Sequence, residues 1–297
     1  MELGSLYTTA DDLTDMAVRW MEDTKSQSPT FAWVHYMDVH HPYVPPEEHQ
    51  EVFRDEPIGE RRAVKLRRKM LDNSETLTEH ELTDIFDLYD SEIRFTDSQI
   101  QRLVTAAEEY LDIPLIVVTS DHGEESGEHG TYGHGRLHEE CVHVPLIIKH
   151  NRMKNTHEEL IGLLDIAPTL ADYADRGNIN NYYGYSLKKL IEEDKGNWER
   201  KSVISEYGNI NDNYHCSYRD DDWTYISDED GERLYNRHTD PDERNNIFSK
   251  NNNVVDSLKE EITSHVRMLE ETQTELDEIK MDDEVAERLE ELGYKME

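Results

Sequence analysis

The chain has 297 residues, with 31 Lys+Arg against 67 Asp+Glu and a formal net charge of -36. That length holds one large domain or two ordinary ones, at roughly 100–200 residues each. Such a charge repels phosphate backbones and anionic bilayers, which excludes nucleic acid and membrane as partners.

The acid excess reads as adaptation to high salt, where carboxylates keep a surface hydrated and self-repulsion is screened, and it points to a halophilic source. Four Trp and sixteen Tyr, with strand-like apolar runs, argue for a packed core rather than disorder. Cys141 and Cys216 are isolated, so they give neither a disulfide framework nor a zinc-ribbon spacing. No stretch resembles a signal peptide, and the apolar runs fall far short of the ~20 residues that span a bilayer. The expected location is cytoplasmic.

In chain order, "TTADDLTDMAVRWMED" predicts a helix with Thr9 or Asp11 near its cap and Leu13, Met16, Ala17 and Trp20 on one face. Phe31–Tyr36, aromatic and β-branched, predicts a buried strand, and the Pro-rich residues after it an extended loop. Residues 47–78 are polar and mixed in charge, and their basic run "RRAVKLRRKM" reads as a solvated helix face. From Glu81 to Tyr110 a helical period runs through Ile85, Leu88, Tyr89, Ile93, Ile100 and Leu103. "IPLIVVT" and "VPLIIK" are short apolar runs suited to parallel strands covered by helices. "LLDIAPTLADYA" predicts a helix with Asp165 at its N-cap and Pro168 in its first turn.

After about Val203, turn signals and short alternating segments predict a small antiparallel sheet, and residues 254–294 a charged amphipathic helix or helix pair. The expected division is 1–203, an α/β domain with a mainly parallel sheet flanked by helices, and 204–297, a small α+β subdomain.

The chemistry concentrates at strand ends, where open α/β sheets bind ligands. "TSDHGEESGEHGTYGHG" places three histidines and four carboxylates directly after "IPLIVV". Asp121 and His122 offer an oxygen and a nitrogen to a divalent cation, with Gly123 allowing a sharp turn, but two ligands need help from another segment. His40 and His41 follow the first apolar stretch beside Pro42, where a histidine serves as general acid or oxyanion donor. His134 stands between two glycines, which lets the backbone approach a ligand.

"FAWVHYMDVHHPYVPP", "VVTSDHGEESGEHGTYGHGRLHEECVHVPLII" and "LLDIAPTLADYA" resemble consecutive blocks of the sulfatases, in the alkaline-phosphatase superfamily. "RLYNRHTDPDERNNIF" and "VAERLEELGY" resemble that family's C-terminal strand-and-turn and last helix, so nearly the whole chain is covered in order. The resemblance implies that Asp121 and His122 ligate a divalent cation, Ca2+ first and Mn2+ or Mg2+ as alternatives. It implies that His40 contacts the sulfate ester and protonates the departing alcohol. His134 stands where many members place a sulfate-binding lysine, and a histidine makes that contact pH-sensitive. His41, Glu128 and His129 read as loop structure.

The family nucleophile is a formylglycine made from a C/S-x-P/A-x-R motif, which this sequence does not contain: Cys216 opens "CSYRD" and Cys141 precedes "VHVP". Asp11 and Asp12 follow no apolar strand and do not read as further metal ligands. The chain therefore reads as the C-terminal portion of a sulfatase fold lacking its N-terminal section, inactive alone. Its partners are expected to be a sulfated small molecule or carbohydrate and a separate N-terminal polypeptide. A truncated or misassigned gene start, a split enzyme acting as a binding module, and a phosphodiesterase or phosphonate monoester hydrolase are the alternatives.

Overall fold

The structure is a computed structural model that describes residues 8–24, 30–151, 157–175, 182–192, 198, 200–209 and 212–272. The described residues up to Ile116, with Thr131–Gly133, form one compact unit; Val117–Gly130 and the described residues from His134 onward form another.

The first unit is helical. It contains α1 (Ala10–Thr24), α2 (Glu47–Gln50), α3 (Glu60–Asp72) and α4 (Glu79–Tyr110). α4 starts in a capping box, with the Thr78 hydroxyl accepting the Glu81 amide while the Glu81 carboxylate accepts the Thr78 amide. Ile85 and Leu88 of α4 pack on Ala63, Leu66 and Met70 of α3 with Tyr43 and Ile58. Each such aliphatic side chain contributes roughly 1.5–3 kcal/mol by leaving water. Met21 of α1 packs farther along, against Ala106 and Ala107 of α4.

Several expected details differ. The buried residues of α1 are Ala10, Thr14 and Met21, whereas Met16 and Trp20 are exposed. Thr9 does stand at its start, with Leu13 N donating to Thr9 O at 2.9 Å, but the Ala10 amide is held from 28 residues away, by Asp38 Oδ1 at 2.9 Å. Thr14 turns inward because its hydroxyl meets the Tyr36 hydroxyl at 2.8 Å.

Phe31–Tyr36 is not a buried strand: Phe31 and Trp33 are 70% and 82% exposed, and no described strand pairs with this segment. The basic run on α3 is only partly solvated. Arg62 clasps Asp84, which is 1% exposed, together with Arg54 (2.9 Å), while Lys69 reaches Glu81 (2.6 Å).

Most of the strand residues belong to the second unit. β1 (Ile116–Thr119) pairs with β4 (Leu146–Lys149) alone, so the wider sheet expected around these runs is not formed among the described residues. Two-residue strands β2 (Glu125–Ser126) and β3 (Tyr132–Gly133) and the short helix α5 (Glu139–Val142) lie between them in sequence. α6 (Ile166–Tyr173) has Pro168 in its first turn, but the Asp165 side chain does not cap it. That carboxylate is fully buried, accepts the Gly162 and Tyr185 amides (2.9 and 2.7 Å) and pairs with Arg200.

After α7 (Lys188–Glu192) comes the expected antiparallel sheet: β5 (Val203–Asn209), β6 (Asp212–Arg219), β7 (Trp223–Asp228) and β8 (Gly231–Asn236), in that order. Its register sets Tyr218 opposite Tyr225 and Tyr225 opposite Leu234. These residues, with Cys216, take Val255, Leu258 and Ile262 of α8 (Asn252–Thr272) on one face. The other face sets Ile226 and Tyr235 against Leu137, as a period of two requires. The rest of the expected C-terminal helix, including "VAERLEELGY", lies outside the described residues. Among the described residues no helix is long and apolar enough to cross a membrane.

Candidate active site

β1 delivers the Asp121–Gly123 loop. Its end is tied to the start of β4, where the Thr119 hydroxyl donates to Pro145 O at 2.8 Å. Gly123 N donates to Cys141 O at 2.7 Å, pressing the loop on α5. A Cβ on Gly123 would collide with the Glu140 carbonyl, so close approach to α5, rather than a left-handed turn, is what requires glycine here.

Within that loop, Asp121 Oδ1 accepts the His122 amide at 3.1 Å. His122 donates from Nδ1 to Gly123 O at 2.9 Å, and its Nε2 lies 3.8 Å from Asp121 Oδ1. A backbone carbonyl fixing one imidazole nitrogen while the other faces a carboxylate is the arrangement of a metal-ligating histidine. The pair could supply one oxygen and one nitrogen to a divalent cation, too few donors to hold it alone.

His134 stacks on His122 with ring centroids 4.2 Å apart, and its Nδ1 meets Glu124 Oε1 at 3.2 Å. Gly133 and Gly135 on either side have φ of 93° and 105°, so both glycines serve the turn that presents His134. Asp121, His122 and His134 thus gather in one unit around one loop.

His40 belongs to the other unit, where both it and His41 are buried. His40 Nδ1 donates to His41 O at 2.7 Å, which sets its proton on that nitrogen. Arg67 Nε donates to His41 Nδ1 at 3.1 Å, so His41 has a defined structural partner on α3.

Both cysteines are buried, and neither has the lowered thiol pKa of an activated nucleophile. Burial pushes the Cys141 thiol up to about 12, with Glu125 adding to the effect, and the Cys216 thiol up to about 11. Sequence reasoning passed over Glu124, the acceptor for His134, although its place directly after Asp-His-Gly was a signal. It also left out His138, and it assigned His129 to loop structure; His129 is stacked on His138 and bonded to Glu140.

Comparison with known proteins bears on this geometry. A family model described as Sulfatase matches residues 4–176, and one described as N-sulphoglucosamine sulphohydrolase, C-terminal, matches residues 127–271. Arylsulfatase K of Canis lupus familiaris is 26% identical over 291 residues, which cover 84% of this chain and 54% of that protein. The chain spans about half the length of such curated relatives.

Among solved structures, the phosphonate monoester hydrolase of Agrobacterium radiobacter superposes with a TM-score of 0.69 at 22% identity, covering 86% of this chain and 61% of that one. A protein solved with its substrate, D-glucosamine-2-N,6-O-disulfate, superposes with a TM-score of 0.64 at 21% identity, covering 92% and 72%. The shared fold is α/β.

Proposed function

The chain belongs to the sulfatase family, and from that premise we propose that it is the C-terminal portion of an enzyme that hydrolyses sulfate esters. The observation that carries this reading is the Asp121–His122–His134 cluster on a loop clamped to α5. Asp121 and His122 hold part of a divalent-cation site, for which Ca2+ is the first assignment and Mn2+ or Mg2+ the alternatives that an imidazole ligand brings in. When bound, that ion supplies charge to stabilise oxyanions of the ester.

His134 binds a sulfate oxygen from its place beside Glu124. His40 contacts the ester and returns a proton to the departing alcohol. The substrate class is a sulfated small molecule or carbohydrate, in line with the disulfated glucosamine bound by the structural relative.

Because the sequence holds no C/S-x-P/A-x-R motif, the nucleophile comes from elsewhere: an upstream segment of the same protein or a separate N-terminal polypeptide. The test is an aryl sulfate assay on the chain alone and on the chain combined with the N-terminal half of a related sulfatase. Alone, no turnover above blank is expected. In combination, turnover should appear, vanish with Asp121→Ala, and fall by about 10²–10⁴ with His40→Ala, the usual weight of a general acid. Turnover by the isolated chain that survives His40→Ala would reveal an unrecognised nucleophile and overturn this reading. The fold shared with a phosphonate monoester hydrolase favours a second reading, which wins if the combined protein prefers a phosphonate monoester over the aryl sulfate.

A further inference from the structure

The basic residues of α3 are sorted by face. Arg62 and Lys69 turn toward α4, where Asp84 and Glu81 neutralise them. Arg61, Lys65 and Arg68 recur at i, i+4 and i+7 on the face away from Ala63, Leu66 and Met70. Those three are exposed, and water completes them. Arg67 belongs to neither set. It lies roughly 150° around the helix from Arg62 and Lys69, at 3.6 residues per turn. There it is half-buried, and its Nε donates to His41 Nδ1 at 3.1 Å. Among the described residues no carboxylate comes within ion-pairing distance of its guanidinium.

A chain of net charge -36 has a surplus of carboxylates to set against each cation. A half-buried guanidinium left without one carries a desolvation cost that no neighbouring charge offsets. Burial lowers the Arg67 pKa; Asp72 on the same helix opposes that, and Arg68 adds to it. The side chain nonetheless stays a cation at any ordinary pH. His41 occupies one of its five N–H donors. The four on Nη1 and Nη2 form the planar fork that grips an oxyanion through two parallel hydrogen bonds.

This fork also stands close to the chemistry. The rings of His40 and His41 have centroids 4.3 Å apart, and His40 Nδ1 donates to His41 O at 2.7 Å. Arg67 is therefore one imidazole removed from His40, and all three residues belong to the first unit. An anionic group held there would sit beside an ester held at His40, not on it.

We propose that Arg67 is a specificity residue whose fork binds a second oxyanion, carboxylate or sulfate, on the substrate whose scissile ester meets His40. The position of the ester rests on the sulfatase reading above. The consequence is a narrower substrate class: sulfate esters that carry another negative group. An ester with the scissile sulfate alone leaves the fork to water.

Calorimetry on the full chain tests this by binding, with phenyl sulfate, p-carboxyphenyl sulfate and p-phenylene disulfate as probes. At least one dianion is expected to bind about tenfold or more tightly than phenyl sulfate, the weight of a bidentate charged pair. Which dianion it is separates carboxylate from sulfate. Arg67→Gln should erase the preference, bringing the dianions to the affinity of phenyl sulfate. Arg61→Gln, which removes an exposed cation from the same helix, should preserve it. Equal affinity for the three probes, no binding of any, a preference that survives Arg67→Gln, or one that Arg61→Gln also erases, overturns the proposal. Should Arg67→Gln lose its fold by circular dichroism, Arg67→Lys decides: it keeps the charge but loses the fork, so the preference should fall, and an undiminished one overturns the site. The readout needs no chemistry, so a combined protein without sulfatase turnover refutes the sulfatase reading alone.

Discussion

Asp38 and Glu92 place two carboxyl groups in the interior of the helical unit, each 2% exposed. Asp38 Oδ2 and Glu92 Oε2 have no hydrogen-bond partner among the described residues. Burial pushes Asp38 up to about 6 against the opposing Ala10 amide. Burial, with the charge of Asp38 adding to it, pushes Glu92 up to about 9. For an acid raised on folding, the folded state holds its proton more tightly than the unfolded chain does. Stability is then full below the unfolded pKa, near 4.5, and is lost as pH rises through the folded one. The expected outcome is a melting temperature that falls between about pH 4.5 and 9, and a Glu92→Gln variant that flattens this slope. At pH 8 that variant should melt several degrees higher, since about 1 kcal/mol is worth roughly 2–4 °C in a domain of this size. Parallel pH profiles for the two proteins would refute the idea. The helical period that picked out Ile93 points at the neighbour of Glu92, and the structure turns Ile93 outward. A polar residue is buried here because remote backbone, at Val44, reaches it, and no local pattern encodes that contact. Glycines and a strand end mark Asp121, His122 and His134 in the sequence, and the structure stacks His134 on His122. The Glu125–His138 pairing carries no such mark, because it needs a contact across 13 residues.

Among the elements, the antiparallel sheet was the most legible, since alternation and turn residues specify it from local sequence alone. The strand expected at Phe31–Tyr36 shows the opposite case: the residues suit a strand, but a strand exists only where a neighbour supplies the ladder. β6 illustrates how one residue joins elements that sequence reads separately. Arg219 at its end is 6% exposed and donates to Ser217 Oγ (2.6 Å), Leu137 O (2.8 Å), Glu139 Oε2 (3.0 Å) and Glu243 Oε1 (3.2 Å). Glu243 is itself buried, with a left-handed φ of 53°, and accepts the Glu139 amide at 3.1 Å. Removing the guanidinium strands a buried carboxylate, and breaking one side of a buried pair costs about 3–5 kcal/mol. Arg219→Met should therefore lower the unfolding free energy by about that amount, read as a lower urea midpoint at unchanged slope. A loss below about 1 kcal/mol would mean the network is solvated and that Arg219 is not the joint.

At the scale of the molecule, a charge of -36 and several uncovered apolar segments act in opposite directions on association. Phe31 and Trp33 in the first unit and Ile147 of β4 in the second are large apolar side chains left to solvent, Ile147 at 61%. Among the described residues β1 and β4 pair only with each other, and open edges with bare apolar residues template pairing with other chains. Repulsion among carboxylates opposes that pairing but also loosens each fold, and it reaches about 10 Å at 0.1 M salt against about 3 Å at 1 M. Raising the salt should thus raise the melting temperature of the chain. At low salt the isolated chain should be partly folded or associated, as read by light scattering and the breadth of its melt. Co-expression with the complementary N-terminal segment proposed above should raise soluble yield and melting temperature together, because that segment would cover the Phe31–Trp33 stretch and the β1–β4 edges. A monodisperse monomer with a sharp, cooperative melt at low salt would show that these surfaces need no cover, and the chain would then be a self-sufficient domain.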